Sequence, residues 1–189
     1  RMLDMKRKIK DALYEQFSRT TKALSSPKRI EILDLLSQSE KTVEMVAEQA
    51  DLGIKNTSAQ LKELKSALLV DTRRDGKYVY YRLASNSVAN LLFNLRTFNE
   101  RHFAEIQKIA SQAFNDAGLI DAVNRKQLLA QAKKGDVILL DVRPSDEYTQ
   151  AHLPYAISVP ISDLKKELKN LPKNKEIVAY CRGPYCFFA

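Results

Sequence analysis

The feature that most constrains the fold is the dipeptide Asp75-Gly76, which separates two runs of β-forming residues. Val70 begins the first run, and the segment "KYVYYRL" forms the second. An Asp-Gly pair between two such runs predicts a β-hairpin with a tight turn, because glycine tolerates the positive φ that these turns require. The fold of this region must therefore accommodate one antiparallel strand pair.

The segments before this hairpin have the apolar spacing of helices. "DALYEQFSRTTKAL" predicts a first helix, and Ser26-Pro27 predicts the start of a second, "KRIEILDLL", because proline at the first helical position loses no hydrogen bond. Thr42 is a candidate cap for a third helix, and the turn "DLGIKN" leads to a fourth, "TSAQLKELKSALL". The residues expected to face inward from the fourth helix are Leu61, Leu64 and Leu68. Two helices joined by a glycine-containing turn and followed by a hairpin predict a winged helix-turn-helix.

The charge distribution favours a nucleic-acid partner for this half of the chain. The formal net charge is +8, and residues 1–83 contain 17 Lys or Arg against 12 Asp or Glu. A basic half is typical of nucleic-acid binding, although a solvated basic face gives the same composition. At the hairpin tip we expect Arg73, Arg74 and Lys77 to contact phosphates.

The fourth predicted helix carries polar side chains of the kind that contact base edges in the major groove. The candidates for base contacts are Asn56, Thr57, Ser58 and Gln60. The candidates for phosphate contacts are Lys55, Lys62 and Lys65. The alternative is an exposed helix whose polar residues are only solvated.

A further segment, "SNSVANLLFNLRTFNERHFAEIQKIASQAFNDAG", predicts one helix of about 28 residues, roughly 42 Å long. Its apolar residues recur every three or four positions, a stripe suited to a partner helix. This stripe and the first helix predict a dimer interface; the alternative is that the stripe packs on the chain's own first helix. The predicted interface residues are Leu13, Phe17, Leu91, Leu95, Phe98, Ile106 and Ile109.

The remainder of the chain predicts an α/β domain. The strand "DVILLDVR" is continuously apolar, as a parallel strand buried on both faces should be. A second buried strand, "KEIVAY", delivers Cys181 at its C-terminal end, where α/β proteins place their chemistry. We therefore expect a helical DNA-binding and dimerisation domain over residues 1–117 and an α/β domain over residues 118–189.

Several classes are excluded or disfavoured by the same composition. No apolar run reaches the length of a membrane span, and the N-terminus lacks the apolar core of a signal peptide, so we expect a cytoplasmic protein. The third predicted helix, "TVEMVAEQAD", has no Cys or His, so a thiolate-rich metal site in the N-terminal half is excluded. We expect no metal and no cofactor.

Residues 6–115 resemble the ArsR/SmtB family of winged-helix repressors, through "SPKRIEILDLL", "NTSAQLKELKSALLV" and "RRDGKYVYYRLA". The resemblance implies a homodimer on operator DNA, with the helix from Asn56 to Lys65 in the major groove and the wing beside it. It also implies that Ser58 and Gln60 occupy base-contacting positions. Leu68 stands where the family usually has a glycine that ends this helix.

Residues 120–189 are similar to rhodanese domains, through "GDVILLDVRPSDEYTQAHLPYAISVP" and "EIVAYCRGPYC", although Ala151 and Tyr155 replace usual glycines. The resemblance implies that Cys181 is a nucleophile that carries a persulfide. Rhodanese domains continue beyond the end of this sequence, so we expect only the N-terminal part of one here.

The residue types around Cys181 fit that chemistry. A thiolate needs a lowered pKa, which a loop of inward-pointing N–H groups before a helix supplies. Gly183 permits unusual dihedrals, and Arg182 adds positive charge. The candidate catalytic loop is Cys181, Arg182, Gly183, Tyr185 and Cys186. Cys186 is either a small buried residue or a resolving cysteine that forms a disulfide with an oxidised Cys181.

Together these features predict a mainly α winged helix-turn-helix domain followed by an incomplete α/β rhodanese-like domain. The expected function is a DNA-binding repressor that responds to sulfur or redox chemistry at Cys181. The alternative is a sulfurtransferase whose helix-turn-helix serves dimerisation or localisation. The expected partners are operator DNA, a second copy of the chain, and a small sulfur donor such as thiosulfate or polysulfide.

Overall fold

The structure is a computed structural model that describes residues 2–116 and 125–182. The chain divides into two compact units, Arg1–Arg96 and Thr97–Ala189, which are described separately below. The domain boundary predicted between residues 117 and 118 lies outside the described residues.

The first unit contains a helical array followed by a hairpin. Its elements are α1 (Met2–Leu24), α2 (Pro27–Gln38), α3 (Val43–Gln49), α4 (Ile54–Ser66), β1 (Val70–Asp75), β2 (Tyr78–Leu83) and the first part of α5 (Asn86–His102). The order of helices, turn and hairpin is that of a winged helix-turn-helix.

The helix starts follow local capping chemistry. Ser26 is the N-cap of α2 with extended backbone, and Pro27 takes the first helical position, as predicted. The Thr42 hydroxyl accepts a hydrogen bond of 3.4 Å from the Met45 N–H and caps α3. Gly53 is the N-cap of α4, which therefore begins three residues earlier than the sequence pattern indicated.

The core of this unit lies among α2, α3 and α4, where Ile32, Leu33, Val46, Leu61 and Leu64 are fully buried. Each such side chain contributes roughly 1.5–3 kcal/mol through removal of its surface from water. The packing confirms the predicted inward face of the fourth helix.

Leu68 is an exception, and the prediction that it faces inward is wrong. Its side chain is 75% exposed, and its φ of 60° places it in the left-handed region. It follows the end of α4, where the chain turns toward β1, so its side chain no longer lies on the helical face. Tyr155 also has a positive φ, of 69°, whereas Ala151 is extended with φ −167°.

The hairpin forms where the Asp-Gly pair predicted it. The strands pair from Val70↔Leu83 to Asp75↔Tyr78, which leaves Gly76 and Lys77 as the two loop residues. Gly76 has φ 57°, the positive value that a type II′ turn needs at this position. A bridge between Lys41 and Tyr81 fastens the hairpin to the segment before α3, through backbone hydrogen bonds of 2.9 and 2.8 Å.

The prediction of one continuous helix in the segment after the hairpin is wrong. Helix α5 ends at His102, Phe103 is not helical, and α6 runs over Ala104–Asp116. No proline or glycine lies at the break, and the local contacts do not explain it. Val88, an apolar residue in the first turns of α5, is buried in the core of the first unit.

The second unit contains a parallel sheet between helices. After α6 it has α7 (Arg125–Lys134), β3 (Val137–Asp141), α8 (Ser145–Gln150), β4 (Ile157–Ser158), α9 (Ile161–Glu167) and β5 (Glu176–Tyr180). The strand order is β4-β3-β5, and both pairings are parallel. This arrangement confirms the predicted α/β class.

Strand β3 is the central strand and is covered on both faces. Val137 and Leu139 pack in one cluster with Leu128 of α7. Leu140 packs in a second cluster, which Leu164 of α9 joins. Strand β5, predicted to be buried, is an edge strand among the described residues, and Ile177 is 37% exposed. None of the described helices is both long enough and apolar enough to cross a membrane.

Candidate DNA-binding surface and cysteine site

Helix α4 presents most of its predicted polar residues to solvent. Those with exposed side chains are Lys55, Asn56, Ser58, Lys62 and Lys65. Lys55, Ser58 and Lys62 make no side-chain hydrogen bond or ion pair with the rest of the described chain. Their donors and charges are therefore available to an incoming ligand.

Thr57 must be removed from the candidate base contacts. Its side chain is fully buried, and its hydroxyl donates a hydrogen bond of 3.2 Å to the Gly53 carbonyl in the first turn of α4. Thr57 lies four and seven residues before the buried Leu61 and Leu64, so its side chain shares the core-facing side of α4.

Gln60 is half-buried and belongs to a network. Its Nε2 donates a hydrogen bond of 3.1 Å to Asn56 Oδ1, and its Oε1 accepts one of 3.2 Å from the Arg29 guanidinium. Arg29 also donates to the carbonyls of Lys22 and Ala23 at the end of α1. No local sequence pattern marks Arg29, which lies 31 residues before Gln60.

Arg73, predicted to contact phosphates, is also engaged in ion pairs within the chain. Its guanidinium donates to both carboxylate oxygens of Glu40 and pairs with Asp75 at 3.2 Å. It also lies over the Tyr80 ring, 5.1 Å from the centroid. The hydrogen bond from Arg73 holds the pKa of Glu40 below its ordinary value, and the same contact raises the pKa of Arg73. This guanidinium is occupied in fastening the wing to the segment before α3.

Arg74 and Lys77 are the remaining predicted wing cations, and both are exposed. Arg74 makes no side-chain hydrogen bond or ion pair within the described residues, and Lys77 lies over the Tyr78 ring at 5.3 Å. On the neighbouring helix, the Lys65 ammonium donates a hydrogen bond of 2.6 Å to the Thr72 hydroxyl and so links α4 to β1. The other two N–H donors of Lys65 remain available for a phosphate.

The residues predicted for a dimer interface are all at least partly exposed in the single chain. Leu13, Phe17, Leu91, Phe98 and Ile109 are exposed, whereas Leu95 and Ile106 are half-buried. Met5 and Ile9 extend the series on α1 at four-residue spacing, and both are also exposed. Such a continuous apolar stripe on one helix face is typical of a surface that another element covers.

In the second unit, Cys181 follows the last residue of β5 and is half-buried. It packs against the cluster of Leu140, Val142 and Val159. Cys181 is disulfide-bonded in this structure. The other predicted loop residues, Gly183, Tyr185 and Cys186, lie outside the described residues.

Arg182, predicted to add positive charge beside the thiol, forms an ion pair with a buried carboxylate. Its guanidinium donates three hydrogen bonds to the carboxylate of Glu147 on α8, at 3.0, 3.0 and 2.6 Å. The Glu147 side chain is fully buried, and that of Arg182 is 11% exposed. A charge neutralised in this way contributes little to a neighbouring thiolate, so we assign Arg182 to anchoring the cysteine segment.

A second buried ion pair supports the same region. Asp141 at the end of β3 accepts hydrogen bonds from the Arg143 guanidinium and from the Tyr180 hydroxyl, the latter at 2.7 Å. Burial alone would raise the pKa of Asp141, but these hydrogen bonds outweigh it and hold that pKa below its ordinary value. Burial, together with the bond to Asp141, raises the pKa of Tyr180 to about 12. Tyr180 also accepts a hydrogen bond from the Leu153 N–H, so the network fixes the residue before Cys181.

The fold of the first unit and the cysteine strand of the second define a class: winged helix-turn-helix proteins with an added rhodanese-like unit. Comparisons with known proteins agree. The family model "Bacterial regulatory protein, arsR family" matches residues 26–72, and "Rhodanese-like domain" matches residues 124–187. The chain belongs to the arsR family of HTH-type transcriptional regulators, in a form that carries a rhodanese-like domain.

Individual relatives cover one or both parts. The HTH-type transcriptional regulator Rv0324 of Mycobacterium tuberculosis is 41% identical over 95% of this chain and 79% of that protein. A sulfurtransferase of Allochromatium vinosum is 33% identical over 34% of this chain and 58% of that protein. A solution structure of the homodimeric winged helix-turn-helix domain of Mb0332 from Mycobacterium bovis is 40% identical, with a TM-score of 0.48, and covers 50% of this chain and 87% of that chain.

Proposed function

We propose that this transcriptional regulator binds operator DNA as a homodimeric repressor in the cytoplasm, and that sulfur chemistry at Cys181 controls its affinity for DNA. One observation supports control by sulfur chemistry at Cys181. This cysteine lies at the end of a strand, and two buried ion pairs, Arg182–Glu147 and Arg143–Asp141, fix its surroundings. A rigidly supported cysteine at a parallel-strand end is a site built for chemistry.

The DNA-binding part of the proposal rests on helix α4 and the wing. Asn56 and Ser58 are exposed on α4 for base contacts, and Lys55, Lys62 and Arg74 are available for phosphates. The exposed apolar stripe of α1 supports dimerisation, as does the homodimeric state of the Mb0332 domain. A two-fold dimer would place two α4 helices in successive major grooves of a palindromic site.

The sulfur step begins with reduction of the disulfide at Cys181 by a small dithiol, which is itself oxidised to a disulfide, because only the thiolate is a nucleophile. The thiolate then attacks the outer sulfur of thiosulfate with its electron pair. A new S–S bond forms on Cys181, the S–S bond of thiosulfate breaks, and sulfite leaves with the electron pair of that bond. An acceptor thiol collects the terminal sulfur in the same way.

The test is DNA affinity with and without a sulfur donor. Fluorescence anisotropy on duplexes from the region upstream of the gene would compare wild type with Cys181→Ser, each reduced and then exposed to polysulfide. We expect polysulfide to change the affinity of wild type and to leave that of the variant unchanged. Mass spectrometry of the same samples would show one added sulfur atom on Cys181.

The alternative is a sulfurtransferase that uses the helix-turn-helix only to dimerise or localise. It predicts release of sulfite from thiosulfate with no change in duplex affinity on sulfur loading. A response equal in wild type and Cys181→Ser would also refute regulation through this residue.

A further inference from the structure

The base-contacting end of α4 is held by three side chains in series: Arg29, Gln60 and Asn56. Arg29 is fixed at its own end by the Lys22 and Ala23 carbonyls, at 3.0 and 2.5 Å. Its remaining guanidinium nitrogen donates to Gln60 Oε1 at 3.2 Å. Gln60 Nε2 in turn donates to Asn56 Oδ1 at 3.1 Å.

The direction of these hydrogen bonds follows from the chemistry of the groups. A guanidinium has only donors, so it must face the oxygen of Gln60. The Gln60 nitrogen then faces Asn56, and because this nitrogen is a donor, it must meet the oxygen of Asn56.

The consequence falls on Asn56, which is exposed in the first turn of α4. One lone pair of its Oδ1 is occupied by Gln60, whereas both hydrogens of Nδ2 lack a partner within the described chain. Asn56 therefore presents a surplus of donors to whatever approaches the start of the helix. The residues at the N-terminal end of a recognition helix are those that contact base edges.

We propose that Arg29 acts through Gln60 as a positioning residue, and that Asn56 consequently contacts guanine, whose major-groove edge carries only acceptors. Guanine offers N7 and O6, whereas the paired contact of asparagine with adenine requires the asparagine oxygen as an acceptor. Thymine and adenine each offer a single acceptor there. This inference rests on the proposed DNA binding through α4.

The decisive variant is Gln60→Glu in the full chain. A glutamate keeps an acceptor for Arg29, which preserves the support at the end of α1, but it has no donor for Asn56. The Asn56 amide must then turn its nitrogen toward residue 60 and its oxygen toward the DNA. Arg29→Ala is the less informative change, because it also removes the cap on α1.

The experiment is selection of bound sequences from a randomised duplex library, followed by affinity measurements on single-base variants. The variant Asn56→Ala identifies the base pair that Asn56 contacts, because the base preference of the protein falls at that position of the site. At that position we expect wild type to prefer guanine by about 10-fold, the usual size of a good base contact. Gln60→Glu should reduce that preference by about the same factor and favour bases with exocyclic amino donors, cytosine and adenine.

Two controls make the result specific. Asn56→Asp presents only acceptors and shows the preference expected for an outward-facing oxygen. Ala59→Glu adds the same charge at an exposed position of α4 that is not part of the series of Arg29, Gln60 and Asn56. It should lower the affinity for all duplexes equally and leave the preference for guanine unchanged.

Three results would overturn the inference. They are a wild-type preference other than guanine, no affected position in Asn56→Ala, or a Gln60→Glu profile identical to that of Ala59→Glu. Each of these leaves DNA binding intact. Failure of wild type to bind any duplex would instead refute the proposed function, and the inference with it.

Discussion

Replacing Glu147 by glutamine isolates the ion pair that anchors the cysteine segment. The carboxylate is fully buried and accepts three hydrogen bonds from the Arg182 guanidinium. Removing one partner of a buried pair usually costs about 3–5 kcal/mol, because the other charge stays desolvated. Glutamine keeps one acceptor for Arg182, so we expect a loss of stability at the lower end of this range, about 3 kcal/mol.

Hydrogen exchange measured by mass spectrometry on the full chain would localise this loss. Peptides from α8 and β5 should exchange roughly 100-fold faster in Glu147→Gln, because about 3 kcal/mol corresponds to slightly more than two factors of ten. Peptides from α2, in the other unit, serve as the internal control and should not change. The double variant Glu147→Leu/Arg182→Met removes both charges and should recover most of the protection.

An unchanged exchange rate in β5 would refute the anchoring role. So would a double variant at least as unprotected as Glu147→Gln, because the loss would then come from packing and not from an unpaired guanidinium. Alkylation of the reduced Cys181 thiol gives a second measurement, since a loosened segment should react faster than wild type.

Four further changes test other contacts. Leu68→Gly should raise the free energy of unfolding of the first unit by about 1 kcal/mol, because φ 60° is strained for leucine; urea unfolding checks this, and Ala151→Gly, at an extended position, should give no gain. The pKa of Asp141 is held below its ordinary 3.8, so the ionised carboxylate stabilises the fold above pH 3.8, and this stabilisation is lost as the pH falls through the folded pKa. In an acid titration followed by circular dichroism, Asp141→Asn should therefore lose less stability than wild type below pH 3.8. Gln60→Ala should relax base preference, whereas Arg74→Ala should weaken all duplexes together and lower the salt dependence; equal effects of both variants in anisotropy titrations would contradict this division.

Local sequence signals determined much of the fold. The Asp75-Gly76 pair, the Ser26-Pro27 helix start and the Thr42 cap each act within a few residues, and all appear as predicted. The continuous apolar run of β3 predicted a parallel strand buried on both faces, and β3 is the middle strand of the parallel sheet.

Two ion pairs were missed for a different physical reason, which is contact over long sequence distances. Arg73 looked like a free wing cation because its partner Glu40 lies 33 residues away. Arg182 looked like a charge for the thiolate because Glu147 lies 35 residues away. Each carboxylate is unremarkable in the sequence, and only the fold brings it to its arginine.

Helix boundaries were the second source of error. Helix α4 starts at Ile54 rather than at Thr57, and the glycine at position 53 was the available signal, because it can serve as an N-cap. The burial of Thr57 follows from its spacing, because it lies four and seven residues before the buried Leu61 and Leu64. For the end of α5 at His102, no breaking residue marks the position in the sequence.

The measurement that tests the account most directly is the salt dependence of duplex binding. Each phosphate contact contributes about 0.9 to the slope of log affinity against log salt. Lys55→Ala/Lys62→Ala removes two contacts from each α4, so a dimer with both helices on DNA should lose about 3.6 from the slope. A slope equal to that of wild type would contradict the placement of α4 on the phosphates and the account that depends on it.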